Sequence, residues 1–298
     1  MTTSLGGSEM ARTIRADVTA RAAVLTQRGI TPTLAVVTAT DDESTAWYVR
    51  SIAGSASRTG IHCDTVALSP DAPTDTIHAA LVELSNNPGV HGIILQTPLP
   101  DGTDLSVLRD AIAPEKDVDG ANPVSLGRLM AGQPAFAPAT AQAVIDLVEY
   151  HDIELKGRTA AVVGRSLVVG TPVAHMLVQR NATVTVCHRH TPDLAGTTRH
   201  ADIVVVAVGV PGLISQEHIA QGSTVIDVGT TATDDGRLLG DVDADALIGH
   251  AGGLTPVPGG VGPVTTALLL ANTVTAAERA NIQDQFLTAK LIDSPVPA

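Results

Sequence analysis

Between Gly157 and Thr191 the chain runs from a β-rich segment through a glycine turn and a helix into a second β-rich segment. Thr159 to Val163 is apolar and ends at Gly164. Thr171 to Arg180 has helical spacing, with Val173, Met176 and Leu177 on one face. Ala182 to Cys187 is again β-rich. Strand, turn, helix, strand is a βαβ unit, which commits this part of the chain to a parallel sheet. Such a turn offers backbone N–H groups and a helix N-terminus to a phosphate. Its pattern is Gly164, Ser166 and Gly170, one residue longer than the usual dinucleotide fingerprint. Glycine turns of this kind also serve plain strand–helix packing, and both readings stand at this point.

Folds that select NAD carry an acid at the end of the second strand for the ribose 2′-hydroxyl. Here the strand ends in Cys187-His188-Arg189-His190, and Arg165 lies in the turn. Basic groups beside the ribose suit a 2′-phosphate and favour NADP, with NAD the alternative. A solvated basic strand end is the other reading.

The rest of the chain repeats the alternation. Helices are expected at Ser8 to Arg28, Ser44 to Thr59, Thr74 to Ser85, Leu105 to Ile112 and Val264 to Ala280. A further helix, Thr140 to Tyr150, is placed to bridge two domains. Strands are expected at Leu34 to Thr38, His62 to Leu68, Val90 to Gln96, Ile203 to Val208 and Thr224 to Val228. Glu115 to Pro123 reads as a polar loop and Asp234-Asp235-Gly236 as a hairpin. The tail after Asp293 reads as loose. The class is therefore α/β with parallel sheets, whose ligands sit at the C-terminal ends of strands.

With 298 residues there is room for two domains. Aromatics are only 2% of the chain, so Val, Leu, Ile and Ala must build the core. A net charge of −13 argues against a nucleic-acid partner. Cys63 and Cys187 make no disulfide framework, and no metal-ligand spacing occurs. With no leader or membrane span legible, a cytoplasmic setting is expected.

Four other segments stand out: Tyr48 on its helix, Gln96-Thr97-Pro98-Leu99-Pro100, Lys116-Asp117-Val118-Asp119-Gly120, and the rigid stretch from Pro256 to Pro263. Each alone is more often a core residue, a turn or a solvated loop. Together, and in this order, they carry a resemblance. The matching stretches are Ala46 to Val49, Gly92 to Pro100, Pro114 to Gly120, Val163 to Gly170, Asn181 to Thr185, Val225 to Gly229 and Thr255 to Pro263. The chain closely resembles the methylenetetrahydrofolate dehydrogenase/cyclohydrolase family over nearly its whole length.

The resemblance implies a homodimer of two-domain subunits with a folate cleft between the domains. The folate domain would span 1–140 plus 275–298, and a Rossmann-like nucleotide domain 141–274. Tyr48 would stack on the pterin, Asp119 would bond its amino edge, and Gln96 would belong to the catalytic set. Pro98, Leu99, Pro258, Gly259, Gly260 and Pro263 would line the substrate. Gly164, Arg165, Ser166, Val169, Gly170, His188, Arg189, Val208, Gly209, Gly229 and Thr230 would hold the cofactor. No metal is implied.

The family places a Lys one helical turn after the Tyr for its second reaction, in which water opens the methenyl ring. Here that position is Ile52. Arg50 and Ser51 point elsewhere on a helix, and Arg does not readily give up its proton. Three further stretches depart from the family. Leu5-Gly6-Gly7-Ser8 replaces an Asp-Gly-Lys segment, Pro138-Ala139-Thr140-Ala141 replaces Pro-Cys-Thr-Pro, and Ile52-Ala53-Gly54-Ser55 replaces a basic run. Cyclohydrolase activity is therefore expected to be reduced or lost. The alternatives are a paralogue that passes the one-carbon unit to another acceptor, and a folate-binding partner without catalysis.

Overall fold

The computed structural model describes residues 1–233 and 236–292, with side chains described as far as Ile282. In chain order the elements are β1 (Thr3–Ser4), α1 (Ser8–Gln27), β2 (Thr33–Thr38), α2 (Glu43–Arg58), β3 (His62–Ala67), α3 (Thr74–Asn86) and β4 (Gly92–Leu95). Next come α4 (Leu105–Asp110), α5 (Pro123–Met130), α6 (Ala139–Tyr150), β5 (Thr159–Val163), α7 (Gly170–Gln179) and β6 (Thr183–Cys187). The chain continues through α8 (Leu194–Thr198), β7 (Ile203–Val206), β8 (Thr224–Asp227), β9 (Thr231–Ala232) and β10 (Leu238–Leu239). It closes with α9 (Ala244–Leu247), β11 (Gly253–Leu254) and α10 (Val261–Ile292).

These elements form two compact units. One joins Met1–Ile14 to Ser125–Leu268; the other joins Arg15–Val124 to the chain from Leu269 onward. The first holds a sheet of order β1-β11-β8-β7-β5-β6, with every pairing parallel. Side chains alternate across it as a strand requires. Val162, Val205 and Ile226 pack under α6 and α7 with Val144, Val173 and Leu177. Val163, Val204, Val206 and Val225 face the other way, onto Ile214, Ile219 and Leu247. A parallel sheet with both faces covered must be apolar on both, which explains the near-continuous Ile-Val-Val-Val of β7.

From β5 the chain passes by α7 to β6 on one side, then by α8 to β7 on the other. The order therefore reverses between β5 and β7, and that crevice is where such sheets take ligands. The second unit repeats the device with three parallel strands in the order β3-β2-β4, so its reversal lies between β2 and β4.

The structure departs from the sequence expectations in several places. Residues 1–14 and 125–140, grouped from the sequence with the folate domain, lie in the unit of the larger sheet. The reason is pairing and packing: β1 hydrogen-bonds β11, and α6 is part of the core beneath that sheet rather than a bridge. Residues 269–274 fall in the other unit. Helix α5 begins where a loop was expected to end, because Asn122 accepts the Val124 N–H at 2.6 Å and Pro123 takes the first helical position. Helix α10 starts three residues earlier than expected, since Pro263 is tolerated within a first turn. The expected hairpin is bracketed by the antiparallel pair β9 and β10, while Asp234 and Asp235 themselves lie outside the described residues, as does the tail after residue 292.

Candidate active site

The glycine turn follows β5 at the reversal point of the larger sheet. Gly164 has φ +123°, and a Cβ there would lie 2.2 Å from the Ala207 carbonyl oxygen at the end of β7. A Cβ on Gly170 would lie 2.2 Å from the carbonyl oxygen of Gly164. Both glycines are thus demanded by backbone passing backbone, at the spot where strand, turn and helix converge. Ser166 organises the turn: its Oγ accepts the N–H groups of Val169 at 3.1 Å and Gly170 at 3.4 Å. Its carbonyl accepts the Thr171 N–H at 3.0 Å. Ser166 therefore ties the turn to the start of α7, a role the sequence alone did not disclose. Arg165 is exposed beside it, and Val169 is half-buried.

At the end of β6, Cys187 is buried while Arg189 is exposed and His188 half-buried. His188 donates its N–H to Thr191 Oγ1 at 2.9 Å, and Arg189 Nε donates to His190 Nε2 at 3.2 Å. The next acid along, Asp193, accepts the Gly196 N–H at 2.7 Å and caps α8. The strand end thus presents a guanidinium and two imidazoles and no carboxylate, a set that suits a phosphate.

Two further loops leave the same edge of the sheet. Val208 and Gly209 follow β7; Gly229 and Thr230 follow β8. Two buried acids stitch them together. Asp241 Oδ2 accepts the N–H groups of Val208 at 2.7 Å and Gly209 at 3.0 Å. Asp227 Oδ1 accepts those of Gly229 at 2.9 Å and Asp241 at 3.0 Å, and its Oδ2 accepts that of Val242 at 3.1 Å. Burial pushes the Asp227 carboxyl up to about 6; the backbone donors pull it back and the Asp241 charge adds to the rise. The Asp227 N–H donates to Thr255 Oγ1 at 2.7 Å, so the network reaches the Pro-Gly-Gly loop. That loop holds a cis Val257–Pro258 bond and Gly259 at φ +108°. It is fixed on its far side by the Gly7 N–H, which donates to the Gly259 carbonyl at 2.8 Å. Pro258 is exposed, Gly260 buried, and Pro263 half-buried.

In the other unit, Gln96 follows β4, and its N–H donates to Val37 of β2 at 2.9 Å, placing it at that sheet's reversal point. Its side-chain amide donates to the Thr97 carbonyl at 2.9 Å, beside the cis Thr97–Pro98 bond. Pro98 is exposed and Leu99 half-buried. Asp42 caps α2 by accepting the Thr45 N–H at 2.7 Å. On that helix Tyr48 is half-buried and Ile52, one turn on, is fully buried, while Arg50 and Ser51 are exposed.

The acidic loop runs beside β4, with the Ile93 N–H donating to the Lys116 carbonyl at 2.8 Å. Buried Asp117 shapes it, accepting the N–H groups of Ala121 at 3.0 Å and Asn122 at 2.8 Å. Lys116 Nζ donates to the Asn87 carbonyl at 2.6 Å, and Asn272 donates to the Val118 carbonyl at 2.8 Å. Lys116 and Asp117 thus build the loop, on which Asp119 is half-buried. Arg109 contributes a half-buried positive charge that acts on both Asp119 and Asp117.

The acids Asp227 and Asp241 were not singled out as functional from the sequence. Their signal is a glycine paired with each, Gly229 and Gly240, both of which the acids require. Among the described residues no cluster of His, Cys, Asp and Glu suited to a metal occurs, and no helix is long and apolar enough to cross a membrane.

Comparison with known proteins fits both sites. Residues 5–119 match the family described as tetrahydrofolate dehydrogenase/cyclohydrolase, catalytic domain, and residues 138–281 match its NAD(P)-binding domain. The bifunctional protein FolD 1 of Rhodococcus jostii (strain RHA1) is 71% identical over 277 residues, 93% of each chain. The crystal structure of the bifunctional FolD methylenetetrahydrofolate dehydrogenase/cyclohydrolase from Campylobacter jejuni superposes with a TM-score of 0.90 at 36% identity, covering 94% of this chain and 99% of that one. The Trypanosoma brucei N5,N10-methylenetetrahydrofolate dehydrogenase-cyclohydrolase, complexed with NADP cofactor and an inhibitor, gives 0.89 at 36% identity over 93% and 98%. With both domain families matched in order along one chain, this protein belongs to the tetrahydrofolate dehydrogenase/cyclohydrolase family.

Proposed function

We propose that this chain oxidises 5,10-methylenetetrahydrofolate to 5,10-methenyltetrahydrofolate with NADP, and that its cyclohydrolase activity is reduced or lost. The observation that carries the second half is Ile52, a fully buried aliphatic side chain one turn after Tyr48. An aliphatic group neither takes a proton nor orients water. Neighbouring Arg50 and Ser51 are exposed on another face of α2, and Arg holds its proton too tightly to act as a base.

The bridging carbon of the substrate lies between two nitrogens, which stabilise the cation left when hydride departs. The reaction therefore asks for positioning more than for acid–base groups. NADP supplies the hydride acceptor. Tyr48 offers an aromatic face to the flat pterin, and Asp119 a carboxylate for its amino edge. Gln96, Pro98 and Leu99 line the substrate on the same unit. On the nucleotide unit, Pro258, Gly259, Gly260 and Pro263 present a rigid backbone to folate and nicotinamide. The turn from Gly164 to Gly170 takes the phosphates, with Arg165, His188 and Arg189 favouring a 2′-phosphate over the bare ribose of NAD. Val208, Gly209, Gly229 and Thr230 complete the cofactor site. The NADP complex of the Trypanosoma brucei relative and the bifunctional Rhodococcus jostii relative support the activity and cofactor.

We take the protein to bind folate as a cytoplasmic homodimer. Exposed edge strand β6, where Val186 is 42% exposed, is compatible with pairing to a second copy.

Purified protein is mixed with 5,10-methylenetetrahydrofolate and NADP, and NADPH and methenyl product are followed separately. Equal NADPH and lasting methenyl signals are expected. Methenyl consumption above the buffer rate overturns the loss of cyclohydrolase. No NADPH with NADP or NAD, together with retained folate binding, favours the second reading. In that reading the apolar Ile52 serves transfer of the carbon to an acceptor other than water, or the chain is a non-catalytic folate-binding partner.

A further inference from the structure

Five backbone N–H groups at the C-terminal edge of the larger sheet end on two buried carboxylates. Asp227 takes those of Gly229, Asp241 and Val242; Asp241 takes those of Val208 and Gly209. Asp227 is 3% exposed and Asp241 is fully buried. The two acids are also locked by shape. A Cβ on Gly229 would fall 2.3 Å from Asp241 Cγ, and one on Gly240 would fall 1.9 Å from Asp227 Oδ2. Each glycine is the space into which the other segment's acid fits. The missing side chain at Gly229 is thus explained by Asp241.

Burying two acids beside each other is costly, and one oxygen, Asp241 Oδ1, has no hydrogen-bond partner. A loop that only needed to be folded has cheaper solutions in neutral side chains. What this arrangement adds is that three separate loops share one anchor. The segment Gly240–Val242 also accepts the N–H groups of Gly212 at 3.2 Å and Ile214 at 3.1 Å. The loop after β7 is therefore held at both its ends, the loop after β8 at Gly229, and the Pro-Gly-Gly loop at Thr255.

We infer that Asp241 is a positioning residue for hydride transfer: its carboxylate sets the backbone of Val208 and Gly209, and through Asp227 keeps them in register with Gly229 and the Pro-Gly-Gly loop. This rests on the reading of those loops as the nicotinamide side of the cofactor site. Asp241 touches neither substrate nor cofactor; it acts through the backbone it holds.

The test is steady-state kinetics with NADP and 5,10-methylenetetrahydrofolate varied in turn, beside direct NADP titration, on full-length wild type, Asp241→Asn, Asp241→Glu and Asp241→Ala. Asparagine keeps an oxygen for the two N–H groups and is expected to stay within about threefold of wild type. Glutamate keeps the charge but displaces the loop. A displaced cofactor loop loosens the grip on NADP and the alignment for hydride transfer, so its KM for NADP is expected to rise at least about tenfold and its kcat to fall, with the folate KM within about twofold. Alanine is expected to behave like glutamate or worse; if it fails to fold, glutamate carries the test. Equal KM values for NADP in wild type and Asp241→Glu overturn the inference, as does a parallel rise in both KM values. Rescue by asparagine separates positioning from general loss of stability. Wild type that does not bind NADP overturns the cofactor reading itself, whereas wild type that binds NADP with an indifferent Asp241→Glu removes only the role of Asp241.

Discussion

At the scale of single residues, burial decides what each polar group can do. Ile52 sits in a dry place on α2, and replacing it with lysine introduces a charge that must be desolvated or find water. Ile52→Lys is expected to raise methenyl consumption above the buffer rate and to lower the melting temperature. A variant that consumes the methenyl compound no faster than wild type removes Ile52 as the cause of the proposed loss of cyclohydrolase activity.

Asp227 gives a prediction in pH. Its folded carboxyl is raised from 3.8 to about 6, so the stability that goes with its protonated form is fully present below about 3.8 and lost as pH rises through about 6. At neutral pH the ionised group costs on the order of 2–3 kcal/mol. Asp227→Asn gives up an acceptor for Val242 but carries no charge. Relative to wild type it is expected to be most destabilised below about pH 3.8 and progressively less so as pH rises to 7 in urea unfolding. A constant difference across that range contradicts the assignment. Tyr48, Gln96 and Asp119 could be proposed from the sequence only because the segments that hold them, taken together, carry the family resemblance. Asp241 as an anchor was not legible, because its partners are backbone groups contributed by another turn of the fold.

At the scale of elements, the turn between β5 and α7 works by exclusion. Neither Gly164 nor Gly170 has room for a methyl group, since in each case a carbonyl oxygen lies 2.2 Å from where it would be. Gly170→Ala is expected to force the start of α7 away from the strand and to weaken NADP binding by more than about tenfold, while folate binding is kept. Unchanged NADP titration would show that the helix start is free to move. The long strands and helices were legible because apolar periodicity is a local property: β5 was placed correctly from Thr159 to Val163, and α7 within one residue. The short pieces were not. Strands β1 and β11 are two residues each, and nothing in Thr3-Ser4 announces a partner some 250 residues away. Helix α5 was missed although Asn122-Pro123 is a start signal, because the loop before it dominated the reading.

At the scale of the whole molecule, neither unit is a continuous stretch of chain. The fold class followed from counting strands and helices, but the unit boundaries did not, since they depend on which distant segments pair. The first residues close the outer edge of the larger sheet: Thr3 pairs with Gly253 and Ser4 with Leu254. Thr2 Oγ1 adds a bond to the Ala251 carbonyl at 2.7 Å. Deleting residues 1–7 is expected to lower the melting temperature and increase aggregation, because β11 then presents an unpaired edge. Light scattering during a thermal ramp reads both, and a truncated chain that melts and scatters like wild type refutes it.

The same pairing sets an order of events during synthesis. Thr3 and Ser4 are translated some 250 residues before the strand they join, a wait on the order of tens of seconds at typical elongation rates. The nascent chain completes β5, β6, β7 and β8 with that border still open. Thr3 and Ser4 precede every other strand of this sheet in translation and are among the last of them to find their place.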